Sequence, residues 1–355
     1  MRYDWSNAVA KIKNHHILNI RMSGNYYWKR GALPAMKFVS LLDTSIASTN
    51  LGDQVIMEAV EKVLLELLHG SFFTKIQTHD VISKVSHNIL KQSQFKIVGG
   101  TNLLSSNMDR FNQWKINQNN VPYLENVILM GVGWWNYQNK PNLYTTKLYR
   151  KILSKRYLHS VRDSYTEKQL RSIGITNVIN TGCPSMWELT SSHCNDIPKS
   201  RSQNVVMTLT EGRKNFHFDR KLYEILKDQY EKVYFWTQQA LDYDYMNSIA
   251  GGNVTYVAPT LRSFDQLLSS TKIDYVGTRL HGGIRALQHK RRTLILSVDN
   301  RASEIAKDTN LPVLERTNLD AIKQWTNNPF VTQIKLREPA IQRWKDQFKP
   351  INKSK

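Results

Sequence analysis

The sequence predicts an α/β protein of two domains, each a largely parallel sheet flanked by helices, facing one another across a cleft. Three observations lead there. The 355 residues exceed one ordinary core and suggest two domains of roughly 150 to 180 residues. Strand-length apolar runs alternate with helical segments. Several of these runs close on glycine, as at Gly99-Gly100 and Gly131-Val132-Gly133, where a chain turns sharply or approaches a ligand.

In chain order, residues 1–36 are polar and aromatic, centred on Asn25-Tyr26-Tyr27-Trp28, and read as an N-terminal extension packed on the first domain. Residues 38–42 read as the first strand. Residues 53–68 read as a helix whose apolar positions include Val55, Ile56, Ala59, Val60, Val63 and Leu64. Strands follow at 72–77, 95–98, 127–130, 156–161 and 178–179. The polar stretch 191–203, with Pro198, marks a boundary, giving a first Rossmann-like domain over 37–197 and a second over 198–318. In the second, strands are expected at 204–209, 232–236, 254–257, 273–276 and 293–298, with helices at 220–230 and 263–269. Residues 319–355 read as a basic helical tail.

Hydrophobic content of 41% fits a globular chain. No apolar run reaches the ~18 residues of a membrane span, and the first residues lack a signal-peptide core, so the expected compartment is cytoplasmic. Cys183 and Cys194 form neither a C-x-x-C pair nor a zinc pattern, and His193 beside Cys194 reads as incidental. The formal charge of +20 invites a nucleic-acid reading, but the basic residues are spread out. The densest runs, 285–292 and 345–355, match no nucleic-acid module. Acidic small substrates, an acidic glycan or an anionic membrane surface are the expected partners, with no specific nucleic acid.

The most informative stretch is Gly277-Thr278-Arg279-Leu280-His281-Gly282-Gly283 after the apolar run Ile273-Asp274-Tyr275-Val276. A strand ending in this way brings a guanidinium fork and an imidazole to a helix N-terminus, where free N–H groups and the helix dipole favour an anion. Ser160-Val161-Arg162-Asp163 repeats an arginine at a strand end; an anion clamp and a surface Arg–Asp pair both fit it. Asp53, after Asn50-Leu51-Gly52, sits where an N-cap carboxylate would accept backbone N–H bonds, and its place in the cleft opens a second role. Asp242-Tyr243-Asp244 superficially matches a D-x-D metal site and reads as solvated surface. Gly131-Val132-Gly133 does not complete G-x-G-x-x-G, because Asn136 holds the third glycine's place. No P-loop, H-E-x-x-H or G-x-S-x-G occurs.

Asn50-x-Gly52-Asp53, Gly99-Gly100-Thr101-Asn102-Leu103-Leu104, Arg162-Asp163, Gly182-Cys183-Pro184 and Thr278-Arg279-Leu280-His281-Gly282, in this order and spacing, resemble the polysaccharide pyruvyl transferase family over about residues 38–316. The resemblance implies a GT-B-like fold and transfer of a pyruvyl group from phosphoenolpyruvate to two hydroxyls of a sugar, giving a cyclic ketal. It implies a donor site of Asp53, Arg162, Arg279, Leu280 and His281, with His281 as acid and Asp53 as base or orienter of the sugar hydroxyls. Asn50 and Asn102 are candidate acceptor contacts. Trp134-Trp135 depart from the smaller residues usual at that position, and either line an acceptor subsite or pack in the core.

Two arginines suit the phosphate and carboxylate of the donor, so no metal or cofactor is required. They should also disfavour a charged His281 until the anion binds. The acceptor is expected to be a glycan or glycan precursor, acidic or lipid-linked, met at the membrane surface. Two other functions stay open: a GT-B glycosyltransferase or sugar epimerase using a nucleotide sugar, and a non-enzymatic polyanion-binding protein.

Overall fold

The computed structural model describes residues 36–349, so the extension read at 1–36 lies outside the described residues apart from Met36. From Lys37 onward the chain forms one compact unit. Its first half contains β1 (Phe38–Asp43), β2 (Phe72–Gln77), β3 (Phe95–Gly99) and β4 (Val127–Met130), parallel in the order β2-β1-β3-β4. Next come β5 (His159–Val161) and β6 (Val178–Asn180), a parallel pair that continues from β4 through the bridge Val132↔Val161. The second half contains β7 (Asn204–Thr208), β8 (Lys232–Trp236), β9 (Thr255–Val257), β10 (Ile273–Gly277), β11 (Thr293–Ser297) and β12 (Val313–Glu315). They form one parallel sheet in the order β12-β11-β10-β7-β8-β9.

Both orders reverse direction once, at β1/β3 in the first half and at β7/β10 in the second. A crevice opens outside the carboxyl ends of an α/β sheet where the order reverses, because the helices leaving the two strands go to opposite faces. The loops after β1 and β3 carry Asp53, Thr101 and Asn102, and those after β7 and β10 carry Thr210 and Arg279. All five line one cavity. Two Rossmann-like halves meeting at their strand ends are a GT-B-like arrangement.

The halves share a core. Val39, Leu41 and Ile97 of the first sheet and the helix Leu51–Leu67, through Ile56, Met57 and Val60, join Val206, Trp236, Tyr275, Ile284 and Ile295 of the second. At Gly100, φ is +59° and an added Cβ would lie 2.1 Å from Ile56 Cγ2, so glycine allows β3 to end against that helix.

Polar contacts also tie the halves. Leu51 N–H donates to Gln238 O at 3.0 Å, and the Gln238 amide donates to Asn50 Oδ1 at 2.8 Å. Asp308, on the helix Asn300–Thr309, accepts from Ser164 N–H and Oγ at 2.7 Å and from Asn180 Nδ2 at 2.8 Å.

The segment set apart as a basic tail returns to the first half. Past the helices Leu319–Asn327 and Glu338–Asp346, the Gln347 amide pairs with both backbone groups of Leu158, and Phe348 packs edge-on against Phe95. The dense basic run near residue 290 is also partly spent on structure. Arg285 pairs with Asp265 and Glu58, and Arg292 is fully buried on Asp274. No helix among the described residues is long and apolar enough to cross a membrane.

Candidate active site at the facing strand ends

Arg279 leaves β10 as the N-cap residue of the helix Leu280–Gln288. Its side chain is nearly all committed. Nε donates to Asp242 Oδ2 at 2.8 Å and to Leu209 O at 3.0 Å, while Nη2 donates to Gln239 Oε1 at 3.0 Å and to Asp242 Oδ1. The expectation for Asp242 is therefore corrected. It is fully buried at the start of the helix Ala240–Ala250 and is the counter-ion of Arg279, whereas Asp244 is exposed. The Asp242 carboxylate also accepts Glu211 N–H and Gln239 N–H, at 3.0 Å each, so the pair is hydrogen-bonded on both sides.

His281 is buried two residues further on, with Nε2 3.6 Å from Cys183 Sγ, which in turn lies 3.0 Å from Ser185 Oγ. Burial pushes its pKa down from 6.5 to about 3, and Arg162 and Arg301 add to the same effect. The sequence reading named the arginines alone, but the larger cause is desolvation. Leu280 turns its side chain into the shared core, so its backbone N–H at the helix start is what it can present to a ligand.

Arg162 is only 1% exposed. Its Nε is 3.4 Å from Asp163 Oδ2, a long contact, and its buried Nη2 has no partner among the described residues. Asp163 is chiefly an N-cap, accepting Thr166 N–H at 2.7 Å. The guanidinium lies over Gly133, where a Cβ would come within 2.4 Å of Nη2, so glycine at this position makes the room the arginine occupies. A surface Arg–Asp pair is excluded by this burial.

Asp53 is not the N-cap. That role belongs to Asn50, whose Oδ1 accepts Gly52 N–H at 3.0 Å. Asp53 stands in the first turn of the helix, buried, and accepts Ser48 Oγ at 2.6 Å and Thr101 Oγ1 at 3.0 Å. Burial raises its pKa against the opposing effects of Ser48, His79, Thr101 and Arg301. Thr101 takes φ of +49°, a costly backbone for a β-branched residue, in order to aim that hydroxyl.

Asn102 is buried with Oδ1 unpaired among the described residues, and it lines the cavity beside Asp53. Trp134 is a correction: it is wholly buried, its indole N–H bonded to Gln138 Oε1 at 3.0 Å, and it has no free face for a sugar. Trp135 is half-buried and packs on Phe111, centroids 3.9 Å apart, and Phe111 borders the cavity.

The cavity measures about 440 Å³ and also receives Arg301, Arg213, Lys115 and His79, which sequence reasoning missed. Arg301 opens the helix Asn300–Thr309 and is held by the carboxylate of Asp299, from Nε at 2.9 Å and Nη2 at 2.5 Å. It bears on both Asp53 and His281, and so links the two candidate catalytic groups electrostatically. A signal existed: Asp299-Asn300-Arg301 follows β11 just as Arg162-Asp163 follows β5.

Two buried polar atoms of the predicted site residues have no partner among the described residues, Asn102 Oδ1 in the cavity lining and Arg162 Nη2 behind it, while Gln238 Oε1 and Asn300 Oδ1 belong to residues that line neighbouring cavities. Such atoms are rare in folded proteins and each is costly, so Asn102 Oδ1 and Arg162 Nη2 are available to a polar ligand. Among the described residues no group of three or more His, Cys, Asp or Glu side chains comes together as a metal site.

The chain is similar in fold to several solved structures at low identity. A Methanocaldococcus jannaschii UDP-GlcNAc 2-epimerase in complex with UDP-GlcNAc and UDP is 10% identical over 84% of this chain and 96% of its own, with a TM-score of 0.48. An S. aureus MnaA–UDP structure is 11% identical over 81% and 87%, with a TM-score of 0.46. The E. coli heptosyltransferase WaaC with ADP is 13% identical over 81% and 98%, with a TM-score of 0.42. No curated protein matches the sequence significantly. The family model for polysaccharide pyruvyl transferases matches residues 50–300, a span that carries Asp53, Arg162, Arg279 and His281, and the chain belongs to that family.

Proposed function

We propose that the cleft transfers the pyruvyl group of phosphoenolpyruvate to two hydroxyls of a sugar in a glycan or glycan precursor. One observation carries this reading: Arg162 presents a buried, unpaired Nη2 close enough to His281 to depress its pKa. A small dianion with a phosphate and a carboxylate supplies the missing acceptors there. It also neutralises the two arginines that, with burial, keep His281 uncharged.

In the proposed reaction His281, charged once the donor is bound, gives its proton to the methylene carbon, leaving the central carbon cation-like. A sugar hydroxyl adds to that carbon and loses its proton to Asp53, which burial makes more basic than an ordinary carboxylate. The bond from carbon to the bridging phosphate oxygen then breaks. The second hydroxyl closes the ketal, and its proton leaves with inorganic phosphate. Arg162 and Arg301 hold the donor, Leu280 adds a backbone N–H, and Arg279 fixes the loop that carries His281. Asn50, Asn102 and Trp135 border the acceptor.

The +20 charge and the exposed Lys115 and Arg213 at the rim support an acidic or lipid-linked acceptor, met on the cytoplasmic side of an anionic membrane surface. The test is incubation with phosphoenolpyruvate and a panel of glycosides, measuring phosphate release together with a mass gain of pyruvate less water on the sugar. Phosphate release without the mass gain on any glycoside contradicts the reading.

A further inference from the structure

Next to the cationic cleft lies a second cavity of about 870 Å³, outside the carboxyl ends of β8 and β9. Thr49 and Gln239 border both, so the two are adjacent. Their chemistry differs. The cleft is lined by His79, Lys115, Arg213, Arg279 and Arg301, whereas the second cavity has no Lys, Arg or His in its lining and a single charged group, the exposed Asp244.

Its walls are largely apolar and include two tyrosines whose rings lie 4.7 Å apart at 45°. Tyr243 is 47% exposed and so presents ring surface to the cavity it lines. The Tyr256 hydroxyl is buried without a partner among the described residues.

We propose that this cavity is a second sugar subsite, so that the acceptor is a disaccharide or longer glycan. The reacting residue would sit in the cationic cleft and the next residue on Tyr243 and Tyr256. A pyranose fits this lining, because its C–H face packs on an aromatic ring while its hydroxyls donate to a carboxylate and accept from a phenol. A phosphate-bearing group fits poorly, since it would meet Asp244 and no cation. The inference rests on reading the cleft as the site of the reacting sugar.

Calorimetric titration in the absence of phosphoenolpyruvate tests it. The probes are methyl glycosides of glucose, galactose, mannose and N-acetylglucosamine, their β-1,4-linked disaccharides, and UDP, titrated into the full chain and into Tyr243→Ala and Tyr243→Trp. At least one disaccharide is expected to bind on the order of tenfold more tightly than its methyl glycoside, the scale of one aromatic contact. Tyr243→Ala should abolish that gain and Tyr243→Trp should keep it, with melting temperature and phosphoenolpyruvate affinity as controls on folding.

Equal binding of every disaccharide and its monosaccharide, no binding by any of them, or UDP binding that depends on Tyr243 overturns the subsite. Binding needs no turnover. A Tyr243-dependent disaccharide gain without pyruvyl transfer therefore rejects the reading of the cleft and leaves the subsite standing, while transfer to monosaccharides with no disaccharide gain does the reverse.

Discussion

The carboxyl ends of β5 and β10 carry the same sequence pattern, an arginine leaving a strand into a helix, and the fold treats the two in opposite ways. At β10, Arg279 is neutralised by a buried carboxylate and spends its fork on Asp242, Gln239 and Leu209 O. At β5, Arg162 is buried more deeply with one weak ion-pair contact and an empty donor. A buried cation that the protein pairs only weakly carries a cost in stability, and a bound anion can offset it. One arginine is therefore satisfied by the protein and the other keeps a free donor, which the proposed function assigns to the ligand, a distinction that the shared pattern does not contain.

The largest expected effect lies on the structural side. Arg279→Ala leaves Asp242 buried without its counter-ion and should destabilise the protein by about 3 to 5 kcal/mol. The double variant Arg279→Ala/Asp242→Ala should recover part of that loss. Urea unfolding of wild type, single and double variants measures it, and a stable single variant would make Arg279 as free as Arg162.

Next in size, His281→Gln should keep the fold and most of the donor affinity while turnover drops roughly a hundredfold or more, the scale of general acid catalysis. A lowered melting temperature with an unchanged rate per folded molecule would make the histidine a packing residue.

Arg162→Ala should weaken phosphoenolpyruvate binding by about 1.5 to 3 kcal/mol, with the melting temperature unchanged or raised because a weakly paired buried charge has gone. Arg162→Lys should restore only part of the affinity, since an ammonium lacks the fork. If Arg162→Ala instead lowers stability as much as Arg279→Ala does, the contrast between the two strand ends fails.

What was legible in the sequence follows from how locally each feature is encoded. The strands Val127–Met130 and Lys232–Trp236 are readable end to end as apolar runs with abrupt polar or glycine limits, and Phe72–Gln77 as a short aromatic and β-branched stretch. β12, three residues at a sheet edge and none of them buried, offers no such run. The donor-side residues were legible as motifs, but their states were not. Whether Arg279 is paired depends on Asp242, 37 positions away, and His281 is held neutral chiefly by its burial, which the motif does not encode, and then by Arg162 and Arg301. Asn50 rather than Asp53 caps the helix because both residue types can cap, and only the position of the first helical turn decides between them. Trp134 and Trp135 are adjacent in sequence, yet the first lies in the core and the second is half-buried against Phe111 of the cavity lining, since neighbouring positions leaving a strand point in opposite directions.

The proposed reaction requires that an anionic donor complete the bonding of Arg162 and thereby charge His281. The most direct test is the proton balance of phosphoenolpyruvate binding near pH 7, measured by calorimetry in buffers of different ionisation enthalpy. In the empty protein His281 is neutral at that pH, its pKa being held to about 3, so raising it above 7 on binding requires uptake of a proton from solution. Wild type should take up on the order of one proton more than His281→Gln does, the donor's own phosphate contributing equally to both. Equal proton uptake by the two proteins, with phosphoenolpyruvate bound to each, would contradict the claim.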